Sequence, residues 1–132
     1  MAKLRSNSKT VELKVVKYLE EEVEDIENLI YDFNSYNQFD YKGHNNIIDF
    51  VVSMGTYGFT VWYSDQRALL KEWLNETEEE ANQYTNEQVY NTYCIIVERV
   101  LLKHYKLKKV VKYDFRNGEK RKSYMTIQKE DE

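Results

Sequence analysis

Residues 108–125 read KKVVKYDFRNGEKRKSYM, and the Asn117-Gly118 pair at their centre decides the fold class. Asn-Gly between β-prone runs is the strongest short hairpin signal, because a type I′ turn needs positive φ at both central residues. With these two as the loop, Lys108 to Phe115 pairs with Glu119 to Gln128. Counting outward from the turn, Arg116 faces Glu119, Phe115 faces Lys120, Asp114 faces Arg121 and Tyr113 faces Lys122. The same register sets Lys112 opposite Ser123, Val111 opposite Tyr124 and Val110 opposite Met125. One face then gathers Val111, Tyr113, Phe115 and Tyr124, while Arg116–Glu119 and Asp114–Arg121 make favourable cross-strand pairs.

Upstream the apolar period is helical. Val11, Val15, Leu19, Val23, Ile26, Ile30 and Phe33 recur every three or four residues and predict one helix from Lys9 to Phe33, capped by Asn7 or Ser8. Residues 34–46 read as a loop pinned by Tyr36, Phe39 and Tyr41. Ile47 to Met54 reads as a short helix, and Gly55-Thr56-Tyr57-Gly58 as a turn. Phe59 to Tyr63 fits strand or buried helix. Ser64 and Asp65 suggest a cap and first-turn acid for a helix from Asp65 to Tyr84. Thr85-Asn86-Glu87-Gln88 is a capping box opening a helix from Asn86 to His104, with Val89, Tyr93, Ile96, Val97, Val100 and Leu101 on its inner stripe. The expected architecture is a single α+β domain over 1–132. Three to four helices over about 8–105 pack around Trp62, Trp73, Val97 and Val100, and a basic C-terminal antiparallel hairpin over about 107–128 closes them.

The composition narrows the functional classes. The 132 residues include no proline, four glycines, one cysteine and twelve tyrosines. Scarce glycine argues against a phosphate-cradling loop, and a lone Cys94 fits a reducing cytoplasm better than a secreted scaffold. The polar, basic start from Met1 to Thr10 does not resemble a signal peptide, and the short apolar runs predict no membrane span. The formal charge of −4 hides opposing blocks: +4 over residues 1–19, −8 over 20–41, 0 over 42–75, −6 over 76–98, +8 over 99–122 and −2 over 123–132. Such segregation equips a protein to present faces of opposite sign.

No constellation announces catalysis, a metal or a cofactor. Cys94 and His104 stand ten residues apart on one helix, about 280° around it, so they share no face. Abundant carboxylates leave a magnesium site open. Cys94, in the apolar run Tyr93 to Val97, reads as a core residue. His104 is expected at a helix end near the last carbonyls, and His44 in a turn beside Gly43. Glu12-Leu13-Lys14 has an acid–lysine spacing known from nucleases, but on a helix.

Two charged constellations remain. On the hairpin, Lys108, Lys109, Lys112, Arg116, Lys120, Arg121 and Lys122 are interleaved with Tyr113 and Tyr124, the chemistry of a phosphate-backbone or ribonucleoprotein contact. A helix followed by a basic hairpin also suggests a winged helix; lysines guarding an exposed sheet edge would give the same pattern. Acidic side chains at Glu20, Glu21, Glu24, Asp25 and Glu27, and at Glu76, Glu78, Glu79 and Glu80, could space negative charge as phosphates do and occupy a DNA groove; a plain solvated helix face is the simpler reading.

The stretch from Arg5 to Lys9 leading into Val11 to Tyr18, and the stretch from Gly55 to Asp65 leading into Leu69 to Leu74, resemble a small domain of uncharacterised function found in phages, plasmids and other mobile elements of Gram-positive bacteria. Similar domains occur near or within anti-CRISPR proteins that act on type II nucleases. The resemblance covers about residues 5–75, leaves out the hairpin and brings no active site with it. The resemblance itself implies a mobile-element origin rather than any particular target. Taken with the segregated charge, the chain is expected to act as a non-enzymatic inhibitor in the host bacterial cytoplasm, without membrane or cofactor. Its expected partner is a host defence nuclease, a type II CRISPR effector, or that nuclease's guide-RNA complex. The expected mechanism is occlusion of a nucleic-acid site, acidic helices lying in a cationic groove and the basic hairpin against guide RNA or an acidic patch. The alternative is a winged-helix-like DNA-binding regulator using Lys120, Arg121 and Lys122. Oligomeric state is left open by the sequence.

Overall fold

A computed structural model describes residues 8–39 and 43–131, without the side chains of Asp114, Arg116, Arg121, Lys122 and Ser123. Within it the chain is α+β: helices α1 (Lys9–Glu22), α2 (Ile26–Phe39), α3 (Ile47–Met54), α4 (Tyr63–Trp73), α5 (Glu78–Ala81) and α6 (Asn86–His104), then strands β1 (Leu107–Arg116) and β2 (Glu119–Lys129). Six helices stand where three to four were expected, because two long helices are each cut in two.

The first cut falls inside the acidic run. Ser8 caps α1 by accepting from the Val11 N–H, and α1 ends at Val23, whose extended backbone still donates to the Leu19 carbonyl. Asp25 then starts α2, its carboxylate accepting from the Asn28 N–H at 3.2 Å. One continuous helix would bury the benefit of these acids in its middle. The break puts Asp25 at a cap and Glu27 in a first turn, where the helix dipole favours negative charge. The loop expected from residue 34 does not begin there, since α2 continues to Phe39 and buries Asn37.

The second cut follows Trp73. Asn75 adopts left-handed φ of 54°, the Asn75 N–H reaches Glu72 O and the Glu76 N–H reaches Lys71 O, which together form a Schellman stop. Thr77 and Glu80 then close a second capping box for α5. The helix before this stop begins at Tyr63, with Trp62 as a cap residue that makes no side-chain bond, so Ser64 is not the cap. Phe59 to Trp62 is neither strand nor helix.

The capping box at Thr85 forms with both arms, and all six inner-stripe residues of α6 are buried. Its neighbours α1 and α4 pack on this stripe. Tyr18, Trp73 and Tyr93 form an aromatic cluster in which Trp73 and Tyr93 stack with an interplanar angle of 7°, and the Tyr18 and Tyr93 hydroxyls pair at 2.6 Å. Trp62 is not part of this core: it is 68% exposed.

The hairpin turns at Asn117 (φ 54°) and Gly118 (φ 81°), as a type I′ turn requires. The first four pairs from the turn, Arg116↔Glu119 to Tyr113↔Lys122, follow the expected register, and then the ladder slips by one. Lys112 pairs with Tyr124, Val111 with Met125 and Lys109 with Ile127, so position 123 is a bulge. The physical reason is the core. An unslipped register would set Met125 and Ile127 in the row opposite Leu107 and Val111, whereas the bulge returns them to the row of Leu107, where Leu107 and Ile127 are both buried. Tyr124 accordingly leaves the row of Val111. The ion pairs expected for Arg116 and for Asp114 with Arg121 lie outside the described side chains.

Two asparagines dock the hairpin on α2. The Asn34 amide donates to the Ile127 carbonyl (2.9 Å) and accepts from the Ile127 N–H (2.8 Å). Asn37 donates to the carbonyls of Met125 (2.9 Å) and His44 (2.7 Å) and accepts from the His44 N–H (2.8 Å). No helix among the described residues is long and apolar enough to cross a membrane.

Candidate partner-binding surfaces

The two acidic blocks occupy opposite ends of α1, roughly 17 Å apart along its axis from Val11 to Glu22. They are not equivalent. In the second block, local structure engages most carboxylates. Glu76 accepts from the Tyr84 hydroxyl, Glu78 from Lys71 at 2.8 Å, and Glu80 from the Thr77 N–H at 2.9 Å. Lys71 holds the Glu78 carboxyl below its ordinary pKa, and burial beside Glu76 pushes the Tyr84 hydroxyl up to about 12. Glu79 is exposed.

The first block gathers at the corner between α1 and α2. Glu21, Glu22, Glu24 and Asp25 line a cavity of about 300 Å³ with Asn28, Tyr57 and Gly58. Glu22 and Gly58 also line a second cavity of about 320 Å³, together with Asp65 and Glu72 of α4. Six acidic residues therefore line two hollows that share Glu22 and Gly58, and two of them are already engaged, Asp25 by the Asn28 N–H and Asp65 by the Thr60 hydroxyl. Burial raises the Glu22 pKa, with Glu21 adding like-charge repulsion. Gly58 has a left-handed φ of 74°, which L side chains rarely adopt, and a Cβ there would also displace the Glu22 carboxylate, whose Oε2 would stand 2.5 Å away. Behind this wall, Tyr57 donates to Asp32, and burial with that bond pushes its hydroxyl up to about 12. Two members of the block lie outside the hollows: Glu20 is 3.6 Å from His104, and Glu27 pairs with Lys129 at 3.1 Å.

Sequence reasoning missed Glu22, Asp65 and Glu72 as surface partners. Asp65 and Glu72 belong to a stretch of zero net charge, yet seven residues apart on a helix puts them on one face. That spacing was the available signal.

The basic hairpin is divided. Lys109 is drawn inward, its ammonium bonding Glu98 (2.7 Å) and the Asn45 carbonyl (2.8 Å). Lys112 lines a groove with Glu27, Ile30 and Asn34 of α2. At the tip, Lys120 sits 4.4 Å above the Tyr113 ring, Tyr113 is 53% exposed and Phe115 is 72% exposed. Lys108 and Tyr124 are half-buried on the stem. The side chains of Arg116, Arg121 and Lys122 lie outside the described set.

The remaining candidates are tied into structure. Glu12 pairs with Lys103 at 2.8 Å, and Lys14 donates to the Glu72 carbonyl. His44 contacts Asp49 at 2.5 Å, and Tyr90 donates to the same carboxylate. Rather than the last carbonyls of α6, His104 has Tyr105 against its ring and Glu20 nearby. Burial pushes the Cys94 thiol up to about 12, a protonated core group.

Val11 to Tyr18 and Gly55 to Asp65 come together at the acidic corner, where Tyr18 of α1 packs edge-on against Phe59, with ring centroids 5.9 Å apart. Comparison of the chain with protein-family profiles, with curated proteins and with solved structures finds no match.

Proposed function

We propose that the protein acts by binding rather than turnover, as a stoichiometric inhibitor of a host defence nuclease of the type II CRISPR class in the bacterial cytoplasm. The observation that carries this reading is the clustering of Glu21, Glu22, Glu24, Asp25, Asp65 and Glu72 around two hollows that share Glu22 and Gly58. Carboxylates spaced over a rigid corner complement a cationic groove built for phosphates. Trp62, exposed between cavity-lining Thr60 and Asp65, supplies the large aromatic anchor that such interfaces favour. The hairpin tip, with Lys120 and Tyr113, then lies against guide RNA or an acidic patch of the same partner. The mobile-element resemblance supports an origin in which such an inhibitor would be useful, and the segregated charge supports the choice of target.

The test is co-elution of the purified protein with a type II nuclease, guide-free and guide-loaded, followed by a DNA-binding competition. The triple variant Glu21→Lys, Glu24→Lys, Glu72→Lys is expected to lose at least tenfold in inhibition with its melting curve retained. Failure to co-elute with either form ends this reading.

A second reading, a winged-helix-like DNA-binding regulator, draws on the exposed cations and aromatics of the hairpin tip. It is separated by a shift assay on duplex DNA. A regulator binds with a steep salt slope, whereas a protein that mimics phosphate does not bind.

A further inference from the structure

The hairpin has two outer edges, and the fold treats them differently. The edge of β2 is occupied. Asn34 exchanges two hydrogen bonds with the Ile127 backbone and Asn37 donates to the Met125 carbonyl, so two side chains of α2 stand where a neighbouring strand would. In an antiparallel ladder, residues whose backbone groups turn outward stand opposite residues that do the same. Met125 pairs with Val111 and Ile127 with Lys109. Val111 and Lys109 therefore turn their N–H and C=O groups away from β2, along the outer edge of β1. Among the described residues, no hydrogen bond from elsewhere in the chain reaches those four groups. An edge in this state is a template for another strand.

Charge selects the strand. Lys109 is committed to Glu98 and Lys129 to Glu27, but the sequence of β1 also carries Lys108, Lys112 and Arg116 against Asp114, and β2 behind it carries Lys120, Arg121 and Lys122 against Glu119. A second copy of β1 laid alongside would set cation against cation, and like charges directly opposite are destabilising. The same cations favour a strand rich in carboxylates. We infer that the outer edge of β1 takes up an acidic, extended segment of a partner protein by strand addition, pairing with the backbone of Lys109 and Val111. This site lies apart from the acidic corner and needs a partner element of the opposite sign.

The experiment titrates the ¹⁵N-labelled protein with a ten-residue peptide alternating glutamate and threonine. A control peptide has the amides of its pairing edge N-methylated, and a single-stranded RNA of matched charge serves as a third probe. Strand addition is expected to slow amide exchange at Lys109 and Val111 at least tenfold with the first peptide and to weaken binding at least tenfold with the methylated one. Val111→Pro removes an N–H that β2 does not use, and an edge strand tolerates proline there. It should lose the same tenfold, while Val111→Thr retains binding. Equal affinity for the methylated peptide, or RNA protecting the same two amides equally, overturns the inference. So does protection that appears with protein concentration alone, which would mean self-pairing. Should Val111→Pro fail to fold, the methylated peptide still decides. The Glu21, Glu24 and Glu72 variants leave this binding unchanged, so the two surfaces fail or succeed separately.

Discussion

Glu98 and Lys109 form a 2.7 Å ion pair that fastens the hairpin to the helices. Glu98 is only 7% exposed, and its other oxygen accepts from the Ile47 N–H at 2.8 Å. One carboxylate thus joins α6, the first residue of α3 and β1. Removing a partner from a buried pair leaves the rest uncompensated. Glu98→Ala is expected to cost about 3 kcal/mol in urea unfolding. Glu98→Gln, which keeps an acceptor for Ile47, should cost less. Equal losses in the two variants would show that the charge, and not the acceptor, matters.

Asn34 holds the Ile127 backbone at both its donor and its acceptor. Asn34→Ala leaves a buried N–H and C=O unpaired, at a cost of about 2 kcal/mol. Hydrogen exchange should quicken first at Ile127 and along β2, with α6 amides moving only by the global loss. Uniform acceleration across α6 and β2 would mean that the clamp does not stabilise the hairpin locally.

Glu22 gives a pH dependence of defined sign. Burial raises its pKa above the ordinary 4.5, so the ionised carboxylate opposes folding. For a raised acid the penalty is fully present above the folded-state pKa and vanishes as pH falls below the unfolded value. Glu22→Gln is therefore expected to be more stable than the native protein at neutral pH, with the gap closing as pH is lowered through 4.5. Melting temperatures across that range check it, and a gap that widens on acidification contradicts the assigned cause.

The Cys94 thiol, buried and pushed up to about 12, should resist alkylation in the folded state. Iodoacetamide at mildly alkaline pH is expected to label the native protein at least a hundredfold more slowly than the urea-unfolded chain. Rapid native labelling would place Cys94 at the surface.

Local signals carried much of the fold. The Thr85 capping box and the Asn117-Gly118 turn each depend on a few adjacent residues, and the stripe of α6 on an unbroken helical period; each formed as its chemistry dictates. The failures were contests between local and tertiary terms. Asp25 reads as one more acid in an acidic helix until the cap it makes is seen. Asn75 looks like a polar helix residue, although it tolerates the left-handed stop that ends α4. The bulge at 123 settles a conflict between the turn, which sets one register, and Ile127, which needs the other. Trp62 carries a core residue's composition and a surface residue's position. For the acidic surface, the block around Glu21 and Glu24 was legible as a charge run. Its convergence with Asp65 and Glu72 was not, because it depends on how α1 and α4 pack.

The bulge also divides the hairpin into two parts with separate phase. Below it, alternation is locked by Leu107 and Ile127 in the core; above it, by the Asn117-Gly118 turn. A one-residue offset at position 123 absorbs the mismatch, so the phase of the outer part is set by the turn and that of the stem by the core. Residues 113–122 can thus vary, so long as the turn is kept, without shifting Leu107 and Ile127 out of the core.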